Sequence, residues 1–192
     1  MAQQIGLFGA APQVYVDDTS GSIVYYPELL GAAESAALFN ELEGSLPWAQ
    51  ETMWMYDHTV TLPRLLARFG PGEPLPAHLF DVQERVEDLL GARFNAVSVQ
   101  YYRNGNDSVA WHSDHTEDLI ECAFVALVSL GAVREMQIRT KARPRRAFSV
   151  NLEPGSLLVM GGRAQEYWEH HIPKVPRAIA PRLSIALRQR RE

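Results

Sequence analysis

In Phe94-Asn-Ala-Val-Ser-Val-Gln-Tyr-Tyr102 the hydrophobic period is two: Val97, Val99 and Tyr101 alternate with Ser98, Gln100 and Tyr102. That alternation marks a β-strand with one apolar face and one face of hydrogen-bonding groups. Downstream the chain reads as further short strands. Phe124 to Leu130 is an apolar run, and Met136 to Arg139 and Phe148 to Leu152 are shorter ones. Ser156 to Met160 leads into Gly161-Gly162, and Leu183 to Leu187 closes the series. Many short strands divided by turn residues predict a sandwich or barrel. Upstream, Gly21 to Tyr26 is strand-like, but the rest is read as helical. Ser35, Leu38, Phe39 and Leu42 share one face of a helix ending at Gly44. Leu79, Val82, Val86, Leu89 and Leu90 predict a second helix after Pro76, with Gly91 as its C-cap. The expectation is a mainly β protein with flanking helices (α+β): one domain over 1–192, with a helical, lid-bearing half at 1–93 and an antiparallel jelly roll at 94–192.

The 192 residues are 46% hydrophobic and 21% charged, a globular composition with room for a sizeable core. Runs such as Ala123 to Leu130 are too short to span a bilayer, and the first residues lack a signal-peptide pattern. Cys122 stands alone, which excludes an internal disulfide and fits a reducing interior. A cytoplasmic monomer without membrane contact is expected, with Cys122 a small core residue. The net charge of −5 weighs against nucleic acid as a partner. Yet Arg134, Arg139, Lys141, Arg143, Arg145 and Arg146 cluster around a single acid, Glu135. Such a run reads as a phosphate-binding patch or as a solvated hairpin turn.

Chemistry enters at Trp111-His-Ser-Asp114. Two ligands one residue apart on an extended strand project to the same side, so His112 and Asp114 can reach one ion. Trp168-Glu-His-His171 offers a third ligand. Two imidazoles and a carboxylate form the facial triad of non-haem iron(II) oxygenases. A zinc hydrolase using His112, Asp114 and His115 is the competing reading. In Arg182-Leu-Ser-Ile-Ala-Leu-Arg188 the period is again two, with Arg182, Ser184, Ala186 and Arg188 on one face. Enclosed arginines need anionic partners, and a dicarboxylate cosubstrate supplies them. Solvation at a basic C-terminus is the plainer account of Arg188.

Taken in order, Tyr102-Arg-Asn-Gly-Asn-Asp-Ser-Val-Ala-Trp-His-Ser-Asp114, Val128-Ser-Leu-Gly131, Gly155-Ser-Leu-Leu-Val-Met160, Trp168-Glu-His170 and Ala180-Pro-Arg182 through Arg188 resemble the AlkB-like iron(II) and 2-oxoglutarate dioxygenases. The likeness is strong over 94–189 and reaches the first half through pieces such as Leu62-Pro-Arg64. It implies a double-stranded β-helix and selects His170 over His171. It implies His112, Asp114 and His170 as iron ligands, with 2-oxoglutarate held by Arg182, Arg188 and Tyr102. Gln100 and Ser184 stand where relatives carry asparagines of that pocket. The acid that reads the base in relatives is Thr116 here; either the neighbouring Glu117 takes its place, or Glu117 faces solvent and Thr116 hydrogen-bonds the substrate. Met53-Trp-Met-Tyr56 lies where relatives carry a hydrophobic finger, so Met55, Tyr56 and Trp111 are candidate substrate contacts.

The reaction implied is oxidative demethylation of an N-alkylated base in DNA or RNA, with iron(II), 2-oxoglutarate and O2, releasing formaldehyde. A base stacked in a duplex cannot reach such a site, so single-stranded or locally unpaired nucleic acid is the expected partner. The alternative is the same chemistry on a metabolite, a protein or a modified RNA base. A binding module with a decayed site is disfavoured by the intact triad and both arginines.

Overall fold

The structure is a computed structural model that describes residues 11–55 and 57–191. In chain order, the strands of the first half are β1 (Gln13–Asp18), β2 (Gly21–Tyr26), β3 (Ala49–Met55) and β4 (His58–Phe69). Helix α1 (Ala32–Ser45) precedes β3, and α2 (Ala77–Leu90) follows β4. The second half holds β5 (Ala96–Tyr102), β6 (Val109–His112), β7 (Val125–Gly131), β8 (Arg134–Thr140), β9 (Ala147–Leu152) and β10 (Leu157–Gly161). A short α3 (Ala164–Tyr167), β11 (Trp168–Ile172) and β12 (Arg182–Arg188) complete it. One antiparallel sheet runs β1-β2-β10-β7-β12-β5-β4-β3 and a second runs β6-β11-β8-β9. This is the jelly roll read from the strand pattern.

Period-two alternation builds the layers. Val97 and Val99 of β5 and Leu183, Ile185 and Leu187 of β12 face α1 and α2, meeting Leu38, Leu42, Leu79, Val82 and Val86. The opposite face of the large sheet turns Tyr102, Leu127, Leu158 and Ala186 toward Met136, Ile138, Leu152 and Ile172 of the small sheet. The candidate site therefore opens between the sheets, where β5 and β12 carry their polar residues. Gly91 caps α2 in the left-handed region (φ 62°), as its position past the last apolar residue predicts.

Two expectations are corrected and a third is decided. The first half is not mainly helical: all four of its strands join the large sheet. The miss has a cause at Pro63, in a long strand whose alternation is broken. The β3–β4 register shifts between Gln50 and Thr52, leaving 62–64 in a bulge where a residue without an N–H is tolerated. Cys122 is not core: it is exposed in a turn at φ 54°, because the strand begins only at Val125. The basic run matches its second reading, an exposed hairpin turn at 141–146 between β8 and β9, and part of its charge is paired. Arg134 is buried against the carbonyls of Asp107 and Pro173, Arg139 and Arg145 share Glu169, and Arg146 pairs with Asp18.

Gly21 joins this frame to the site. It holds φ 111°, and a Cβ there would lie 2.4 Å from the Ala164 nitrogen and 2.7 Å from the Gly161 oxygen. Both are backbone atoms that cannot swing away. Gly21→Ala is expected to lower stability by roughly 2–4 kcal/mol from left-handed strain plus overpacking, seen as a reduced denaturant midpoint.

Candidate active site

His112 ends β6 and His170 is the third residue of β11; the two face each other across the ladder, with ring centroids 4.4 Å apart. Alternation along β11 turns His170 inward, where it is buried, and His171 outward. His171 stacks on Trp111 at 4.0 Å and meets the Gln137 amide oxygen at 2.8 Å. Trp111 also lies beneath the Arg139 guanidinium, 3.7 Å from its centroid, on the outer face of the small sheet. The Nδ1 of His112 is 2.9 Å from the Ala110 carbonyl, which can only accept. That proton placement leaves the Nε2 lone pair for the cavity. Burial pulls both imidazoles below their ordinary range, His170 to about 3 with His112 adding to the effect, so both are neutral ligand-type nitrogens.

Asp114 leaves the strand two residues after His112 and turns onto Arg188, which donates from Nε at 2.6 Å and from Nη2 at 3.3 Å. Burial pushes this carboxyl up, but the guanidinium outweighs it and holds it below the usual range. Its backbone N–H donates to the Oε1 of buried Gln165 at 2.8 Å. With Asp114 so turned, no three His, Cys, Asp or Glu side chains among the described residues stand gathered as a metal cage.

These groups line a cavity of about 150 Å³. Gln100, Tyr102 and Ser184 form part of its wall, and Ser98 is held by Arg188 Nη1 (2.7 Å) and Gln100 Nε2 (3.0 Å). Arg182 shares their face of β12 but lies deeper, its guanidinium 5.3 Å from the centroid of the Tyr102 ring. It is 1% exposed; Nη2 donates to Ser129 at 2.9 Å, while Nε and Nη1 have no partner. Burial pulls it down to about 10, still cationic at neutral pH.

Other expected residues lie elsewhere. Thr116 and Glu117 sit on an exposed 3-10 turn and line a separate cavity with Ile120 and Cys122. Glu117, its side chain 79% exposed, pairs with His115 at 3.6 Å. The expected reach of Glu117 into the site is thereby corrected, because the turn faces away from it. His115 is likewise exposed, which removes the third ligand of the zinc-hydrolase reading. Met55 falls in β3 opposite His58, and Tyr56 lies outside the described residues. Besides Ser98 and the apolar lining, three residues of the site were not foreseen. Arg64 and Arg68 reach the cavity wall from β4, with Leu62-Pro-Arg64 the only sequence hint. The third is Gln165, for which the sequence carries no signal.

Residues 67–191 match the sequence profile of the 2OG-Fe(II) oxygenase superfamily. The chain belongs to this superfamily. Within it the oxygenase is AlkB-like. It is 31% identical over 186 residues to the human protein described as alpha-ketoglutarate-dependent dioxygenase alkB homolog 3, covering 86% of this chain and 65% of that one. It is 30% identical to the mouse DNA oxidative demethylase ALKBH2, covering 85% and 78%. A 2OG-Fe(II) oxygenase family structure from Burkholderia pseudomallei superposes with TM-score 0.57 at 18% identity, over 86% of this chain and 84% of that one, which shows the shared fold. The superfamily works with iron(II), 2-oxoglutarate and O2. This oxygenase has donors to match: two neutral imidazoles beside a carboxylate suit iron(II), and a buried guanidinium with two orphaned N–H groups suits a dicarboxylate.

Proposed function

We propose that this chain is an oxidative demethylase of N-alkylated bases in single-stranded or locally unpaired nucleic acid, serving repair of alkylation damage. The observation that carries the reading is Arg182, a buried cation with two unpartnered N–H groups behind a cavity that holds a His/Asp/His set. A buried charge left this open is costly unless an anion completes it.

His112, Asp114 and His170 would hold iron, with Asp114 swinging from Arg188 toward the imidazoles. Arg182 and Tyr102 would hold the distal carboxylate of 2-oxoglutarate, and Gln100, Ser184 and Arg188 would complete the pocket. When bound, iron, 2-oxoglutarate and O2 would supply an oxidation in which one oxygen atom goes to succinate, with loss of carbon dioxide, and the other into a methyl C–H, the carbon leaving as formaldehyde. The chain's own work is positional. Gln165 fixes the Asp114 backbone, Ala110 fixes the His112 tautomer, and the sheets keep the cavity narrow, so a base must leave its stack to enter.

One observation favours a second reading. Arg139, Arg145 and Arg146 of the basic run are ion-paired, which fits the same chemistry on a metabolite, a protein or a modified RNA base. Incubation with iron(II), 2-oxoglutarate and methylated oligonucleotides separates the two. Loss of methyl mass together with succinate supports the nucleobase reading; succinate without methyl loss supports the second.

A further inference from the structure

We infer that the cavity is built for a neutral methylated base, with a carbonyl oxygen beside the methylated ring nitrogen, and that Arg64 selects it; this rests on the nucleobase reading above. Four charged side chains, apart from the histidines, line the cavity: Arg64, Arg68, Asp114 and Arg188. Arg188 is closed by Asp114 and, once Asp114 turns to the iron, by the cosubstrate in the pocket it completes, and Arg68 is closed by both oxygens of Glu51 at 2.7 and 2.8 Å. Arg64 has no carboxylate at ion-pair distance among the described residues. Its Nη1 reaches the Ser108 carbonyl at 3.3 Å, and its Nε is buried without a partner. Glu51 feels Arg64 only as a weaker neighbour, since its oxygens are engaged by Arg68. The open charge of the wall is therefore positive, on a group that only donates.

Base chemistry converts that asymmetry into a choice. Methylation at N1 of adenine or N3 of cytosine leaves a cationic ring with an amino group beside the methyl. Such a ring would meet a like charge on a guanidinium that no carboxylate closes. Methylation at N3 of thymine or uracil leaves a neutral ring, whose adjacent oxygen can accept from Arg64. Among the described residues the only acid of the wall is Asp114, which is engaged by Arg188 or committed to the iron, and Thr116 and Glu117 stand on the exposed turn outside it.

The test compares single-stranded oligonucleotides carrying one 3-methylthymine or one 1-methyladenine in the same context. Binding is read by fluorescence anisotropy with manganese(II) and 2-oxoglutarate, and demethylation by mass spectrometry with iron(II). Wild type is expected to favour 3-methylthymine by about tenfold or more in both readouts. Arg64→Lys should keep the direction of the preference and Arg64→Gln should bring the ratio within about twofold, with melting curves confirming that each variant is folded. Equal or better handling of 1-methyladenine by wild type overturns the inference while leaving the nucleobase reading in place. An unchanged ratio in folded Arg64→Gln also overturns it. If neither oligonucleotide loses its methyl while 2-oxoglutarate is consumed, the nucleobase reading falls and the inference with it.

Discussion

Succinate formation is expected to fall by more than about 100-fold in each of His112→Ala, Asp114→Ala and His170→Ala, a loss beyond that caused by outer partners of metal sites. His171→Ala should retain most of the activity. The contrast follows from the ladder: His170 faces His112 inside the cavity, whereas His171 is turned out against Trp111 and Gln137. An active His170→Ala beside an inactive His171→Ala would overturn the ligand assignment. Cobalt(II) and nickel(II) should inhibit wild type competitively with iron(II), since the same N/O donors take them without the redox chemistry.

Arg182→Ala is expected to weaken 2-oxoglutarate binding by about 10²–10³-fold, the scale of removing one partner from a buried charged pair. Arg182→Lys keeps the charge but loses the planar fork, and a loss of about tenfold or more is expected. Titration under nitrogen with manganese(II) in place of iron measures both without turnover. Stability should move the other way. Without cosubstrate Arg182 is a buried cation satisfied at one of its nitrogens, so Arg182→Ala should not lower the apo melting temperature as a core truncation would. An unchanged cosubstrate affinity in both variants would remove the main support for the proposed function.

How much of this was legible in the sequence depends on whether the signal was local. The alternation in β5 and β12 put Gln100 with Tyr102, and Arg182 with Ser184, on one face of each strand, and the fold turns both faces between the sheets. Helix α2 and its Gly91 cap were equally readable. The hairpin of β3 and β4 was not, because Pro63 sits in a bulge and breaks the period that marks a strand. With it went Arg64 and Arg68, which enter the cavity only through that hairpin. Cys122 was misread because an apolar run shows where a strand lies but not where it starts. The ion pairs of the 134–146 arginines were not readable for another reason. Their partners Asp18 and Glu169 come from β1 and β11, and no window along the chain can bring them in. Gln165 had no local signature, since its role exists only where α3 approaches the end of β6.

The closed arginines of the 139–146 turn bear on how a nucleic-acid strand would be held. A cation already matched by a carboxylate displaces few condensed counterions when a phosphate approaches, so dilution of the ion atmosphere contributes little to association. A strand would then be retained through its bases, by stacking on exposed side chains such as Trp54 and by entry of one base into the cavity. Such a protein would dwell poorly on intact polymer and linger where a base fits, putting its discrimination in residence time instead of long-range capture.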